Sequence, residues 1–318
     1  MPEKVVVTRE IPEAGLRILE GFDVRVLSGR PPERGELLEG VRGARGILST
    51  VTDKMDGEVM DAAGEDLKVI ANMAVGYDNI DVGAAKERGI VVTNTPEVLT
   101  ETTADTAFML LLAAARRLGE AERLLRSGGW GAWGPKQLLG PDVWGKKLGL
   151  IGLGRIGQAV ARRSSGFEME VLYCDQYRNE SAEEELRARY LELDNLLSES
   201  DFISIHTPLT PETRHLIGEK ELGLMQPTAV LVNTSRGPVV DEGALADALE
   251  NGRIFAAGLD VYEEEPKVHP KLLELEKVVL APHIGSASIE TRDKMAKLAA
   301  ENLRAVLSGE PAKTPVDA

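Results

Sequence analysis

The sequence has 318 residues, a length that suits about two domains of roughly 100 to 200 residues each. Lys and Arg number 37 against 52 Asp and Glu, and the resulting net charge of −15 argues against nucleic acid or an anionic membrane as the main partner, because both require a basic surface. A single Cys excludes an intramolecular disulfide and a Cys-based zinc cluster, and the charged start MPEKVVVTRE and the lack of a long apolar stretch lead us to expect a cytoplasmic protein without a metal site.

The first hundred residues alternate short β-branched runs with segments that carry apolar residues at helical spacing. Alternation of this kind predicts crossover units and a parallel sheet. The predicted strands are Lys4–Thr8, Asp23–Leu27, Arg45–Ser49, Lys68–Asn72 and Ile90–Thr93, and the predicted helices are Ile11–Glu20, Glu33–Gly40, Asp56–Ala63 and Asp81–Arg88.

The segment from Thr100 to about Arg126 predicts one long helix that is apolar on most sides and buried in a core. Residues 127–147 follow with all three Trp and many Gly, and they predict little regular structure. A connection of about twenty such residues is long. Because exposed Trp is costly, we interpret this segment as an arm that packs on a second subunit.

Alternation resumes after the arm and continues to Gly285. A final helical run, Ser288–Leu307, is expected to return to the first unit, so the sequence predicts two α/β units of unequal size, the first of them discontinuous. The later strands are predicted at Leu148–Gly152, Glu170–Cys174, Asp201–His206, Ala229–Thr234, Ala256–Val261 and Val278–Ala281, and the helices at Ile156–Arg163, Glu183–Arg189, Asn195–Ser200, Glu219–Met225 and Glu242–Glu250.

A glycine-rich turn, Gly152-Leu-Gly154-Arg-Ile-Gly157, joins one of these strands to a helix. The three glycines allow a tight turn, close approach to a pyrophosphate, and close packing of helix on strand, while the helix N-terminus attracts the anion. Asp175 ends the next strand at the distance expected for an acid that binds the adenosine ribose. A carboxylate there repels a 2′-phosphate, so the sequence predicts binding of NAD(H) in preference to NADP(H). Arg178 is interpreted as a solvated loop residue.

Reduction of a 2-keto acid by hydride also requires a cation for the carboxylate, a proton donor, and a group that keeps the donor charged. Among the four His residues, His283 is the best donor candidate, because it follows the last predicted strand and strand carboxyl ends face the ligand crevice. His206 ends another strand, either lining a pocket or serving as a structural residue. Arg236 and the acids of Asp260–Glu265 lie at two further strand ends.

Several segments together resemble the D-isomer-specific 2-hydroxyacid dehydrogenases, and the likeness covers almost the whole chain. They are GLGRIG with Asp175, NTSRG, GLDVYEEEP, LAPHIGSAS, AVGYDNID (Ala74–Asp81), TNTPEVLTETTAD (Thr93–Asp105) and DFISIHTPLTPET (Asp201–Thr213). Within that family, VTDKMD, AVGYDNID and APHIGSAS are most similar to the glyoxylate and hydroxypyruvate reductases.

The resemblance implies a role for each matching residue. Arg236 would bind the substrate carboxylate and carbonyl, His283 would donate the proton, and Glu265 would pair with His283, since a carboxylate favours the charged form of an imidazole. The remaining substrate contacts would be the N–H groups of Val75 and Gly76 and the side chain of Val51. The cofactor contacts expected from the turn and the resemblance are Thr103, Gly152, Gly154, Arg155, Ile156, Gly157, Asp175, His206, Pro208, Thr234, Ser235, Asp260 and Gly285.

The family's architecture implies two doubly wound parallel-sheet domains with a cleft between them. Residues 100–286, including the arm at 127–147, would form a Rossmann cofactor domain, and residues 1–99 with 287–318 a smaller, flavodoxin-like substrate domain. Members are usually dimers in which such an arm crosses to the partner. Many glyoxylate and hydroxypyruvate reductases lack an acid at the position of Asp175 and prefer NADP(H), so this chain is expected to differ from them in cofactor.

The leading hypothesis is therefore an NADH-dependent reductase of glyoxylate or hydroxypyruvate that acts reversibly as a homodimer. One alternative is a short 3-phosphoglycerate dehydrogenase or another D-2-hydroxyacid dehydrogenase. A protein that senses NAD(H) without catalysis is an alternative of another class, although the set of Arg236, Glu265 and His283 argues against it. Side-chain preference stays open, because one methylene changes binding by only about 1–3 kcal/mol.

Overall fold

The computed structural model describes residues 2–27 and 29–316. The chain forms two compact units, Met1–Leu99 with Ser286–Ala318 and Thr100–Gly285. The second unit ends at Gly285, one residue before the end that the sequence predicted for the cofactor domain. Among the described residues, no helix has both the length and the apolar character needed to cross a membrane.

The described residues up to Leu99 form a five-stranded parallel sheet with its connecting helices. Its strand order, β2-β1-β3-β4-β5, is that of flavodoxin-like folds. In chain order the elements are β1 (Lys4–Val7), α1 (Glu13–Leu16), β2 (Asp23–Val26), α2 (Arg34–Gly40), β3 (Gly46–Ser49), α3 (Gly57–Ala63), β4 (Val69–Asn72), α4 (Val82–Glu87) and β5 (Val91–Thr93).

Every residue of the second unit is described, and its seven strands form one parallel sheet in the order β12-β11-β10-β9-β6-β7-β8. The order reverses between β6 and β9, as in Rossmann folds. The elements are α5 (Thr100–Ala115), α6 (Leu118–Arg126), β6 (Lys147–Ile151), α7 (Arg155–Ser164), β7 (Glu170–Cys174), α8 (Glu180–Leu186), β8 (Arg189–Tyr190), α9 (Leu193–Glu199), β9 (Phe202–Ile205), α10 (Glu219–Leu224), β10 (Val230–Asn233), α11 (Glu242–Glu250), β11 (Ala256–Leu259), α12 (Pro270–Glu274) and β12 (Val278–Leu280).

The two strand orders confirm the predicted fold class of two doubly wound α/β units. The central strands β3, β4, β9 and β10 are fully buried, because helices cover a parallel sheet from both sides. This burial explains why the strands were recognisable as β-branched runs rather than as alternating patterns.

The prediction of one helix from Thr100 to Arg126 was wrong. The helix breaks after α5, where Arg117 adopts a left-handed conformation with φ of 53°, and α6 begins at the next residue. One local and one tertiary contact stabilise the break: the Arg117 guanidinium contacts Glu120 at 2.6 Å, and a Cβ at Gly140 would lie 2.0 Å from the Ala115 carbonyl oxygen. The arm thus packs, at Gly140, against the C-terminal end of α5.

The predicted helix Glu183–Arg189 was also wrong at its end. Helix α8 stops at Leu186, Arg187 adopts a φ of 53°, and the next residues form the edge strand β8. The Tyr190 ring packs edge-on against Tyr173 of β7, with centroids 5.4 Å apart. Strand β8 and helix α12 were not predicted, since each is too short for a periodic pattern.

The last helix, α13 (Ile289–Leu307), packs in the first unit against α1 and the strands β3 and β4. Its contact with α1 is close, because a Cβ at Gly15 would lie 2.8 Å from the Ala296 carbonyl oxygen. The first unit is therefore completed by residues more than 280 positions apart in sequence, such as Ile18, whose carbonyl oxygen accepts from Arg304.

We expect Gly15→Ala to lower the stability of the first unit by about 1–3 kcal/mol, because the added methyl group overpacks the contact between α1 and α13. Gly35→Ala is the matched control: it also adds a methyl group to a helical glycine, but nothing lies within 4 Å of that position. The control should be neutral or stabilising by up to about 1 kcal/mol. Urea unfolding followed by circular dichroism measures both changes, and equal midpoints for the two variants would contradict the packing argument.

Candidate active site

The glycine-rich turn lies where the strand order of the second unit reverses. Gly152 follows β6 with a φ of 96°, and a Cβ there would lie 2.9 Å from the carbonyl carbon and oxygen of His206. A Cβ at Gly157 would lie 2.2 Å from the Gly152 carbonyl oxygen. Both glycines are therefore required by the packing of the turn against its own helix and the chain after β9.

Gly154 has a different surrounding. A Cβ at this position would meet no atom within 4 Å, so packing within the chain does not explain the glycine. Gly154 is also the N-cap of α7, and no side chain caps the helix there. Its first-turn N–H groups and dipole face an open, exposed cradle that suits a phosphate.

Asp175 is attached to this turn. Its carboxylate accepts one hydrogen bond from the backbone N–H of Leu153 and one from that of Gln176, each 2.7 Å long. The acid at the end of β7 is therefore held beside the glycine turn, where the predicted ribose contact requires it.

Arg178, a few residues further on, forms a bidentate ion pair with Glu183, with N–O distances of 2.7 and 2.8 Å. The Tyr173 hydroxyl also donates to Glu183. The Arg178 guanidinium, followed by the Tyr173 hydroxyl, lowers the pKa of the Glu183 carboxyl to about 2. Arg178 is thus a loop residue, 60% exposed as the sequence suggested, and it is also bound to a neighbouring carboxylate.

His206 follows β9, and its Nε2 lies 2.8 Å from the Ser204 hydroxyl. Burial lowers the pKa of this imidazole to about 3, which disfavours the imidazolium form that a general acid requires. Of the other candidates, His215 pairs with Glu263 at 2.9 Å and His269 is the N-cap of α12. These placements leave His283 as the donor candidate.

The segment after β10 is folded by the side chain of Asn233. Its Oδ1 accepts from the backbone N–H and the hydroxyl of Ser235, at 3.0 and 2.9 Å, and its Nδ2 donates to the Arg236 carbonyl at 2.9 Å. Thr234 is 8% exposed, and its Oγ1 has no hydrogen-bond partner among the described residues. A buried hydroxyl without a partner is costly, which is consistent with a ligand contact at this strand end.

His283 and Glu265 lie together at the ends of β12 and β11. The His283 Nδ1 is 2.8 Å from Glu265 Oε2, while Glu265 Oε1 accepts from the Tyr262 backbone N–H at 3.1 Å. Both side chains are partly exposed, at 31% and 24%. Since Glu265 holds Nδ1, a proton transferred to a substrate comes from Nε2.

Asp260 holds the chain on the far side of His283. It is 1% exposed, and its two carboxylate oxygens accept from the backbone N–H groups of Ile284 and Gly285, each at 2.7 Å. Its carbonyl oxygen accepts from the His283 N–H at 2.9 Å. Burial raises the pKa of the Asp260 carboxyl above its ordinary value. Asp260 was predicted as a cofactor contact. Its hydrogen bonds in the structure position the loop that carries His283.

The sequence did not indicate that Glu242 and Glu263 also hold the loop of Glu265. The Glu242 carboxylate accepts from the Glu263 N–H, and the Glu263 carboxylate accepts from the Glu242 N–H, both at 2.8 Å. Burial raises the pKa of Glu242. An acid in the first turn of α11 was the available signal, because helix N-termini attract carboxylates.

The predicted substrate contacts Val51, Val75 and Gly76 lie in loops of the first unit, after β3 and β4. Asn79 donates to the carbonyl oxygens of Thr50 and Asp53, at 3.1 and 2.9 Å, and so ties the loop of Val51 to the loop after β4. Among the described residues, no backbone carbonyl accepts from the N–H groups of Val75 and Gly76.

The remaining predicted cofactor contacts are placed around these strand ends of the second unit. Arg155 and Ile156 begin α7, the carbonyl of Pro208 accepts from the Thr213 hydroxyl at 2.7 Å, and the Thr103 side chain lies about a van der Waals distance from the position of a Cβ on Gly285. The open cradle at Gly154, the fixed carboxylate of Asp175 and the unpartnered Thr234 hydroxyl fit a dinucleotide. In the described residues, no group of three or more His, Cys, Asp or Glu is arranged to hold a metal ion.

Residues 108–285 match the family model described as the D-isomer specific 2-hydroxyacid dehydrogenase, NAD binding domain. A glyoxylate reductase from Thermococcus litoralis is 54% identical over 98% of this chain and 95% of its own length. The crystal structure of the TT0316 protein from Thermus thermophilus superimposes with a TM-score of 0.93 at 48% identity, covering 99% of this chain and 100% of that one.

A further solved structure bears on the cofactor. An NADPH-dependent glyoxylate/hydroxypyruvate reductase from Sinorhizobium meliloti, in complex with NADP and malonate, superimposes with a TM-score of 0.87 at 39% identity. The match covers 99% of this chain and 97% of that one. Similarity at this level extends to a protein that uses the phosphorylated dinucleotide.

Proposed function

The chain belongs to the D-isomer-specific 2-hydroxyacid dehydrogenase family, and we propose that it reduces glyoxylate to glycolate, and hydroxypyruvate to D-glycerate, with NADH. The observation that carries this proposal is the 2.8 Å contact between His283 Nδ1 and Glu265 Oε2, on loops that also follow the strands of a dinucleotide-type sheet. Curated relatives that are 54% and 55% identical carry the name glyoxylate reductase, which supports glyoxylate as the substrate.

The proposed reaction needs the substrate carbonyl to be polarised before hydride reaches it. The Arg236 guanidinium would bind the carboxylate and the carbonyl oxygen of the keto acid, with the N–H groups of Val75 and Gly76 binding the carboxylate. A bidentate guanidinium matches the geometry of such an anion. When bound, the nicotinamide supplies the hydride to the carbonyl carbon.

His283 would then transfer the proton from Nε2 to the carbonyl oxygen as negative charge develops there. Glu265 orients the imidazole ring through its contact with Nδ1. In the reverse direction, the neutral His283 would accept the hydroxyl proton at Nε2. The buried Asp260 and the reciprocal Glu242–Glu263 bonds keep the two loops in register for this transfer.

We expect His283→Ala to lower kcat for glyoxylate reduction by about 10²–10⁴-fold, because general acid catalysis is lost, while NADH binding changes little. The measurement is NADH oxidation with glyoxylate, hydroxypyruvate, pyruvate, phosphohydroxypyruvate and bulkier keto acids. His269→Ala serves as a control, because this residue lies at the N-cap position of α12 and its side chain makes no cap hydrogen bond. If His283→Ala reduced glyoxylate at nearly the wild-type rate, the proposed mechanism would be wrong. A wild-type enzyme that prefers phosphohydroxypyruvate would instead favour a 3-phosphoglycerate dehydrogenase.

We expect Glu265→Gln to lower kcat for glyoxylate reduction by about tenfold, because the neutral amide cannot make the charge-assisted hydrogen bond that holds His283 Nδ1 at 2.8 Å. NADH oxidation at saturating glyoxylate measures the change. Glu264→Gln removes an exposed acid from the same loop and should leave kcat unchanged. A Glu265→Gln variant with the kcat of wild type would contradict the pairing.

The preference for NADH is supported by the placement of Asp175 and by the state of Arg178. The carboxylate beside the glycine turn accepts from ribose hydroxyls and repels a 2′-phosphate. The nearby guanidinium is bound to Glu183 at two oxygens, which opposes its use as a phosphate ligand. Together these contacts favour NADH, although a 39% identical relative is NADPH-dependent.

We expect wild type to have a higher kcat/KM with NADH than with NADPH on the same keto acid. Asp175→Asn should narrow this ratio by about tenfold, because it removes the repulsion and keeps an oxygen that accepts from Leu153. Adding Glu183→Ala should narrow the ratio further by releasing Arg178. Glu184→Gln, which removes an exposed charge from the same helix, should leave the ratio unchanged. Equal use of both cofactors by wild type would refute the proposal.

A homodimer is supported by the arm at residues 127–147. Its three Trp side chains are 51%, 79% and 66% exposed within the chain, in the order Trp130, Trp133 and Trp144. The neighbouring helix α6 buries none of its residues, and its Leu118 and Leu125 are 60% and 59% exposed. A cluster of exposed large apolar residues marks an interaction surface, and a second copy of the chain is the proposed partner.

We expect a mass of twice 34.4 kDa by light scattering at micromolar concentration. The double variant Trp133→Ser and Trp144→Ser should shift the protein toward monomer, because it removes apolar area from the proposed interface. Leu273→Ser is the control, since this side chain is 63% exposed but lies on α12, outside the arm. A monomeric wild type, or an equal effect of the control, would contradict the arm as the interface.

A further inference from the structure

The loop after β4 has two backbone N–H groups whose directions are set by carbonyl groups. The peptide bonds that join Ala74, Val75 and Gly76 are trans, so each C=O points opposite to the N–H of the following residue. The direction of the Val75 N–H is therefore set by the Ala74 carbonyl, and that of the Gly76 N–H by the Val75 carbonyl.

Both of these carbonyls are held by the segment after β5. The Ala74 oxygen accepts from the Thr95 backbone N–H at 2.8 Å, and the Val75 oxygen accepts from Asn94 Nδ2 at 2.8 Å. Two consecutive residues thus hold two consecutive carbonyls, and both N–H groups are turned to the opposite side. Buried Asn72 supports the same loop from β4, because its Nδ2 donates to the Gly76 carbonyl at 3.0 Å.

The position of Asn94 is in turn fixed by the segment after α13. The Thr314 hydroxyl donates to the Asn94 carbonyl at 2.6 Å, and the Asn94 N–H donates to the Thr314 carbonyl at 3.3 Å. Thr314 is anchored by Asn302 of α13, which is fully buried. The Asn302 Nδ2 donates to the Thr314 hydroxyl at 2.7 Å, and its Oδ1 accepts from the backbone N–H groups of Lys313 and Thr314.

Resting on the proposed function, we propose that Asn94 is the positioning residue of the carboxylate-binding loop and that Thr314 holds Asn94 in place. The pair Asn94–Thr314 aims the N–H groups of Val75 and Gly76 at the carboxylate of the 2-keto acid. The pair does not take part in hydride or proton transfer. Its loss should therefore weaken the binding of small 2-oxo carboxylates and leave the chemical step and the dinucleotide unaffected.

The test compares four variants for KM of glyoxylate, kcat, KM of NADH, and inhibition by oxalate, a dianion that resembles the substrate. Asn94→Ala should raise the KM of glyoxylate and the inhibition constant of oxalate together by about tenfold, the scale of a misdirected hydrogen bond to an anion. Thr314→Val should raise both by about threefold, whereas Thr314→Ser, which keeps the hydroxyl, should resemble wild type. The kcat and the KM of NADH should stay within about twofold of wild type, because the pair acts only on the binding of the carboxylate.

Lys313→Ala is the matched control, because it removes an exposed ion pair with Glu301 from the same segment and leaves Asn94 untouched. It should not change either constant. Unchanged KM and oxalate inhibition in Asn94→Ala and Thr314→Val would overturn the proposal, as would a fall in kcat at constant KM, which indicates a general loss of folded enzyme. If Thr314→Val does not fold, Asn94→Ala tests the same link from its other side.

Calorimetric titration of oxalate into the NADH-bound enzyme separates this inference from the proposed function. Wild type that binds oxalate but does not reduce glyoxylate would refute the function, and weaker oxalate binding by Asn94→Ala would still support the positioning role. Wild type that reduces glyoxylate, together with equal oxalate affinity in wild type and Asn94→Ala, would refute the positioning role alone.

Discussion

The hydrogen bonds of the buried Asp260 hold in place the loop that carries the candidate proton donor His283. The Asp260 carboxylate accepts from the N–H groups of Ile284 and Gly285, and the Asp260 backbone carbonyl accepts from the N–H of His283. His283 has a φ of 54°. A left-handed conformation at a residue other than glycine persists only where the surroundings over-determine it. The same loop places His283 Nδ1 against Glu265. Asp260 therefore fixes the position of His283 relative to Glu265.

In both units, asparagine side chains hold the loops that follow short parallel strands. Short strands end in loops whose backbone groups are held by buried or half-buried side chains: Asn233 folds the Arg236 turn, and Asn94 holds the Val75 carbonyl. An asparagine can donate and accept at once, and therefore fixes a turn on two sides. Rigid loops of this kind suit a reaction in which an anion, a carbonyl and a proton donor must be aligned.

The electrostatic character of the chain agrees with this arrangement. The net charge of −15 opposes the general binding of small anions, so the proposed recognition of a carboxylate would depend on local donors such as Arg236 and backbone N–H groups. Acids near the dinucleotide turn have defined partners: Asp175 accepts from Leu153 and Gln176, and Glu183 binds Arg178. Selectivity in such a protein therefore depends on the positions of individual charges rather than on their sum.

The sequence by itself determined the two α/β units, the glycine turn with Asp175, and the candidate residues Arg236 and His283, because strand–helix alternation and short motifs are local patterns. The choice of Glu265 among the neighbouring acids came from the family resemblance. The tertiary structure decided the break at Arg117, the edge strand at Tyr190, the Glu242–Glu263 bonds and the contact between Asn94 and Thr314. Asn94 and Thr314 are 220 residues apart in the chain, and no local pattern records such a pair. Long-range contacts of this kind form only when the strands and helices have packed.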